Sequence, residues 1–288
     1  MSVFFTDTDC ELWYEDVEKY EMKIIGMPYT LDGVERFYDM GKNTDFKLLY
    51  DRMRAGAMPI TSALNPQDYV DYFEPVLQSG QDILYVHFSD RLSGTFNYMK
   101  IALDELKEKY PDRKVTLFNT KSICFGGGLQ ALMAGKMHYE GASDEEIIKF
   151  LEGFSPRVAT KFVVDSLSHL KRGGRLGAAS AIIGGILNIK PMIKITDEGT
   201  LEKYATAKGM KKAISLLADE CAKDVRDNDL YPIAILDADT KEMGDFAERL
   251  LREKLGEQAN IIRHPIGPVI GAHCGPGTVG FVYVADKR

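Results

Sequence analysis

The chain has 288 residues, of which 45% are hydrophobic and 27% charged, with a formal net charge of −7. That balance suits an ordinary soluble protein, and the length suits two domains rather than one. The acidic excess, with no run of basic residues, argues against a nucleic-acid partner.

The opening residues meet Asp7 and Asp9 almost at once, so no signal peptide is expected. The most apolar segment, residues 177–189, is too short to cross a bilayer, so no stable membrane insertion is expected either. Cys10, Cys124, Cys221 and Cys274 lack CxxC spacing, which reads as free thiols in a cytoplasmic protein with neither a disulfide framework nor zinc. No metal or cofactor is expected from these residues.

Residues 2–6 read as a short buried strand running into Asp7-Thr8-Asp9-Cys10-Glu11. An acidic, hydroxyl-bearing loop after a first strand suits the carboxyl edge of a parallel sheet. Three carboxylates in five residues raise a metal site, but the glycine turn and longer ligand series of an EF-hand are missing. N-capping of a helix over residues 11–20 is the preferred reading. Residues 22–27 form a second strand, and the Asp32-Gly33 turn marks a hairpin or a loop excursion within 29–39. A short amphipathic helix over 46–55 closes at Gly56.

Thr61 and Ser62 then stand between Pro59 and Pro66, which favour an extended loop. They are a candidate hydroxyl pair for a ligand, or simply caps for the helix predicted over 67–77. Residues 83–88 are a buried strand by composition, and the spacing from Phe96 to Lys109 is helical. Ser93-Gly94-Thr95 lies between them. Ser93 fits an N-cap, Gly94 leaves the backbone amides open, and a helix N-terminus attracts anions. Those residues suit an anionic headgroup, and equally a capped helix with no ligand.

Further strand and helix alternation (114–118, 126–139, and a capping box at Ser143-Asp144-Glu145-Glu146) implies a parallel sheet with right-handed crossovers up to about residue 155. Gly135-Lys136 resembles the end of a P-loop but lacks the following Ser or Thr and the earlier glycine, so nucleotide binding by that route is rejected. After Ser155-Pro156-Arg157, strands are expected over 161–164, 188–193, 201–205, 232–237, 261–264 and 281–284, with helices over 178–187, 208–221 and 243–255. The helix over 178–187 is apolar and rich in small residues, leaving room for something to pack closely. Lys171-Arg172-Gly173-Gly174-Arg175 reads as a flexible electropositive loop, suited to a carboxylate or phosphate, or as a solvated basic turn. His273 lies in a Gly/Pro-rich stretch read as a loop, which makes it the best functional candidate among five histidines. His87, His138 and His169 read as core or surface residues.

Taken together, Asp7-Thr8-Asp9, Thr61-Ser62, Leu92-Ser93-Gly94-Thr95, the 171–176 run, Leu187-Asn188-Ile189-Lys190-Pro191 and Gly271 to Gly277 resemble the DegV family of bacterial fatty-acid-binding proteins over essentially the whole chain. The resemblance implies an α/β, two-domain DegV-like fold. A parallel-sheet N-terminal α/β domain (1–157) would carry the carboxylate-binding loops, and a C-terminal α/β domain (158–288) the acyl tunnel and the His273 segment. It implies a lipid-binding protein rather than an enzyme, with a long-chain fatty acid as ligand and no cofactor. An ATP-binding fatty acid kinase subunit would be the partner, and acyl phosphate for phospholipid synthesis the product. By position, Thr61, Ser62, Ser93, Gly94 and His273 would bind the ligand, with Arg175 and Lys208 near phosphate or the partner. The chain departs from the family at Thr8 (often Ser), Ala63 (often Gln) and Lys208 (often Arg), and a lysine cannot reproduce arginine's bidentate fork. The alternatives are an acyl hydrolase using Ser93 and His273, though Arg-Leu-Ser-Gly-Thr is not a G-x-S-x-G elbow, and a sugar- or nucleotide-binding module.

Overall fold

A computed structural model of the chain describes residues 2–176 and 188–288. In chain order, β1 (Val3–Asp7), a 3-10 turn (Thr8–Cys10), α1 (Tyr14–Lys19) and β2 (Lys23–Ile25) come first. The hairpin β3 (Pro28–Leu31) and β4 (Val34–Phe37) turns through Asp32 and Gly33, both at positive φ. There follow α2 (Phe46–Arg54), β5 (Ile60–Thr61), α3 (Pro66–Gln78), β6 (Ile83–His87), α4 (Thr95–Lys109), β7 (Val115–Asn119), α5 (Phe125–Tyr139) and α6 (Asp144–Phe154). The rest comprises β8 (Val158–Val163), α7 (Ser168–Arg172), β9 (Ile189–Ile195), β10 (Leu201–Lys208), α8 (Met210–Asp224), β11 (Ile233–Asp237), α9 (Lys241–Leu255), β12 (Ile261–Pro265), α10 (Pro268–Cys274) and β13 (Val279–Val284).

Two compact units emerge: residues 2–44 with 60–155, and residues 45–59 with 156–288. The first holds an all-parallel sheet in the order β2-β1-β6-β7, as strand and helix alternation predicts. Every residue of β6 is buried, which explains its unbroken apolar and aromatic run. Phe5, Phe73 and Tyr85 form a chain of tilted and edge-on ring contacts, with centroids 5.5–6.0 Å apart. A small antiparallel sheet, β4-β3-β5, belongs to the same unit. The capping box at Ser143 forms as predicted, each side chain bonding the other's backbone N–H.

The second unit holds a six-stranded sheet, β10-β9-β8-β13-β11-β12, antiparallel except for β11 and β12. Apolar residues of α8 and α9, among them Ile214, Leu217, Ala247 and Leu251, pack with Met192, Ile235 and Phe281 of its strands. Lys161 of β8 bridges Glu220 and Asp224 on α8, at 2.9 and 3.5 Å. Tyr50 of α2 donates to the Ile266 carbonyl at 2.7 Å, so the 45–59 segment is tied to residues more than two hundred positions later.

Several sequence expectations are corrected. Asp7 caps the 3-10 turn, not a helix over 11–20; the following helix starts at Tyr14 with no side-chain cap. Asn65, with Asp68, caps α3, so Thr61 and Ser62 do not. Lys171 and Arg172 belong to a helical turn, because the backbone bonds that close it begin at Leu167. Lys208 ends a strand and is not the first residue of a helix. Residues 268–274 are helical, with Pro268 at the first turn where its missing N–H costs nothing, so His273 is held on a helix and not in a loop. The helix predicted over 178–187 lies outside the described residues.

Candidate functional site

In the parallel sheet, β1 connects to β2 on one side and the chain later returns to β6 on the other. This places a topological switch point between β1 and β6, and in such sheets ligands collect at the carboxyl ends of those two strands. Asp7 ends β1 and His87 ends β6.

The Asp7 carboxylate is fully buried and accepts four hydrogen bonds. Oδ1 takes the Asp9 and Cys10 amides at 3.1 and 3.2 Å; Oδ2 takes the Tyr85 hydroxyl at 3.0 Å and the Phe88 amide at 3.1 Å. Burial pushes its carboxyl up to about 6, against the pull of those donors.

Beyond β6, Ser89 N–H donates to the Ser122 carbonyl at 2.7 Å, and Leu92 N–H to the Ser89 carbonyl at 3.1 Å. This turn delivers Ser93 and Gly94 to the head of α4. Ser93 sits one position earlier than a side-chain N-cap: Gly94 is the cap residue, and Ser93 Oγ accepts from Thr95 N–H at 3.2 Å. Among the described residues the Ser93 hydroxyl makes no other hydrogen bond, and no histidine bonds it. Gly94 is exposed, and a Cβ placed there would meet nothing within 4 Å, so the backbone stands open to a ligand.

The Thr61-Ser62 segment is brought to the same place by a series of bonds. Thr61 pairs with Tyr29 of β3, and Ser62 N–H donates to the Pro28 carbonyl at 3.3 Å. Met27 N–H in turn donates to Thr8 Oγ1 at 2.8 Å. Leu64 N–H reaches Thr95 Oγ1 at 3.2 Å, and the Tyr69 hydroxyl shares the same oxygen at 2.9 Å. Thr95 is fully buried and therefore works as the knot between the 61–64 and 93–95 segments. The bond from Leu64 to Thr95 holds the 61–64 segment against the head of α4, where Gly94 leaves the backbone open. The motif around Ser93 includes Thr95 but gives no sign of the Thr95–Tyr69 pair; Tyr69 lies in a helix 26 residues before Thr95 and carries no local signal.

In the second unit, α7 and α10 pack through glycines. A Cβ on Gly173 would fall 2.2 Å from His273 Nδ1, and one on Gly275, at φ +81°, 2.4 Å from the His169 ring. Arg172 Nη2 lies 3.0 Å from His169 Nδ1, and Arg175 Nη1 donates to the Gly173 carbonyl at 2.5 Å. Burial, then the charges of Arg175 and Arg172, pull His273 down to about 4, so its imidazole is neutral at pH 7. A neutral ring therefore packs beside a turn that carries two arginines. Lys208 stands exposed at the end of β10 opposite Ile189, and Lys190 is engaged by Asp165 at 2.6 Å. No group of His, Cys, Asp and Glu among the described residues is arranged to hold a metal ion. No helix of the described residues is long and apolar enough to cross a membrane.

With this geometry in hand, the chain compares with known proteins as follows. A family model described as an uncharacterised protein of the DegV family matches residues 3–286. A DegV domain-containing protein of Clostridium perfringens is 36% identical over 286 residues, 99% of this chain and 98% of that one. A fatty-acid-binding DegV family protein from Thermus thermophilus superposes with a TM-score of 0.82 at 28% identity, over 98% of this chain and 99% of that one. A DegV lipid-binding protein from Thermotoga maritima superposes with a TM-score of 0.81 at 26% identity, covering both chains fully. The α/β architecture, with one parallel-sheet unit and a second sheet unit, is the one those structures have. The chain belongs to the DegV family.

Proposed function

We propose that this protein binds a long-chain fatty acid and presents its carboxylate to a partner kinase, which converts it to an acyl phosphate. The observation that carries the first half is full-length likeness to DegV structures named for lipid and fatty-acid binding. The Thr61-Ser62 and Ser93-Gly94 edge supplies the donors that such a headgroup requires. Each methylene withdrawn from water contributes about 0.8 kcal/mol, so a long acyl chain brings on the order of 10 kcal/mol before association costs. Its carboxylate loses water on entry, and the loss is offset only if hydroxyls or amides replace that water.

Thr61, Ser62, Ser93 and Gly94 are assigned to the carboxylate. Within the second unit, His273 and Arg175, with Arg172, are assigned to contact with an anion, a phosphate or the ligand's headgroup. Lys208 is assigned to the partner surface, and no cofactor of the protein's own is invoked. The setting is the cytoplasm, where ATP and free thiols coexist.

Two measurements test the halves separately. Ser93→Ala should weaken retention of a bound fatty acid by about 1–3 kcal/mol, the cost of losing a buried charge-assisted partner; unchanged retention would remove Ser93 from the headgroup site. Incubating the loaded protein with its cognate ATP-binding subunit and ATP should yield acyl phosphate, trapped as the hydroxamate. Retention without hydroxamate would leave a fatty-acid carrier and discard the kinase step.

A further inference from the structure

We infer that Asp7 is the positioning residue of the headgroup site: its buried carboxylate fixes the loop that carries Ser93 and Gly94 to the end of β1. This rests on the fatty-acid reading of that loop. Oδ1 serves the turn just after β1, through Asp9 and Cys10, whereas Oδ2 crosses to β6, through Tyr85 and the Phe88 amide. Phe88 is the first residue of the loop and its amide is buried, so its acceptor determines how that loop leaves the sheet. One carboxylate therefore clamps both sides of the switch point, and it touches none of the residues assigned to the ligand.

The two oxygens can be tested apart. In Asp7→Asn one oxygen becomes an NH2 group. Turned toward Asp9 and Cys10, that group would face two backbone N–H donors. Turned toward β6, it faces only one obligatory donor, because the Tyr85 hydroxyl can rotate and accept. The amide therefore keeps its oxygen on the turn and strands Phe88 N–H, loosening the loop while leaving the turn capped. Groups facing Asp7 are Asp9 and Cys10 from the turn, Tyr85 from β6 and Tyr69 from α3; no cation is among them. Protonating Asp7 should consequently act on the same bond as the amide does, and in the same direction.

The experiment has two readouts on the whole protein. Amide hydrogen exchange without ligand should quicken about tenfold or more at residues 88–94 in Asp7→Asn and stay near wild type at 8–10. Release of prebound cis-parinaric acid to acceptor vesicles should be about tenfold faster at pH 7.5 in the variant, with no pH dependence between 5 and 8 beyond that of the ligand's own carboxyl. Wild type should show an inflection near pH 6, with faster release on the acid side. Tyr85→Phe, which removes one donor and leaves the Phe88 bond, should release the acid at pH 7.5 much as wild type does, with its inflection moved to higher pH. Unchanged exchange at 88–94, or an inflection that persists in Asp7→Asn, overturns the inference. If wild type binds no cis-parinaric acid, the fatty-acid reading fails, and the exchange data still decide whether Asp7 holds the loop.

Discussion

Thr95→Val is the substitution that most directly perturbs the way this site is assembled. Valine keeps the shape of threonine and removes only the hydroxyl, and that hydroxyl is shared by Leu64 N–H at 3.2 Å and the Tyr69 hydroxyl at 2.9 Å. Thr95 and Tyr69 are fully buried and Leu64 is nearly so, so water cannot replace the lost partner. Each stranded buried group costs about 1–3 kcal/mol, which sums to about 2–6 kcal/mol for the pair. For a domain of this size that corresponds to a fall in Tm on the order of 10 °C. Guanidinium denaturation followed by far-UV circular dichroism measures the first figure, and a thermal melt the second. Thr95→Ser is the control: it keeps the oxygen, loses a methyl group and should cost about 1 kcal/mol or less. Combining Thr95→Val with Tyr69→Phe should cost less than the sum of the two, by about 1 kcal/mol, because both remove the same contact. A Thr95→Val protein that melts with wild type would refute the claim that this oxygen joins the 61–64 segment to the head of α4.

Two further outcomes follow from the packing and the buried rings. Gly173→Ala puts a methyl group 2.2 Å from His273 Nδ1, so the ring must be driven out, at about 1–3 kcal/mol. By NMR the His273 imidazole should then titrate closer to its ordinary value near 6.5; an unchanged titration would mean that α7 and α10 are not pressed together as described. His87, whose ring lies tilted 4.4 Å from that of Phe96, is pulled down to about 4 by burial. Between that value and 6.5 the unfolded chain binds the extra proton, so stability rises with pH. The contribution is complete above about pH 6.5 and is lost as pH falls through 4, at most about 3 kcal/mol. His87→Phe should therefore lose less stability than wild type between pH 7 and 4.5. An equal loss would contradict a neutral buried imidazole. Asp7, raised to about 6, works in the opposite sense in the same window and is untouched by that substitution.

The sequence made some of this legible and hid the rest for physical reasons. Strong local signals were read correctly: the unbroken apolar run of β6, the Asp32-Gly33 hairpin, the Ser143 capping box and the periodicity of α4 and α9. The errors fall where short polar segments have several solutions. A threonine and a serine between two prolines look like helix caps, but Asn65 takes that role and frees Thr61 to pair with β3. Gly and Pro around His273 suggest a loop, yet Pro268 suits a helix start and the glycines serve close packing against α7 and Tyr50. Nothing local in residues 45–59 reveals that they pack with the later unit, because that follows from contacts such as Tyr50 to Ile266. The candidate carboxylate residues were found through family motifs. What holds them, Asp7, Thr95 and Tyr69, became visible only once the strands were in register.

The account's central claim is that this chain carries a fatty acid, and its most direct test is to extract protein purified from cells and analyse the extract by mass spectrometry. The claim predicts about one long-chain fatty acid per chain, retained through gel filtration and diminished in Ser93→Ala. An extract holding no acid, from a protein that also fails to take up added long-chain acids, would contradict it.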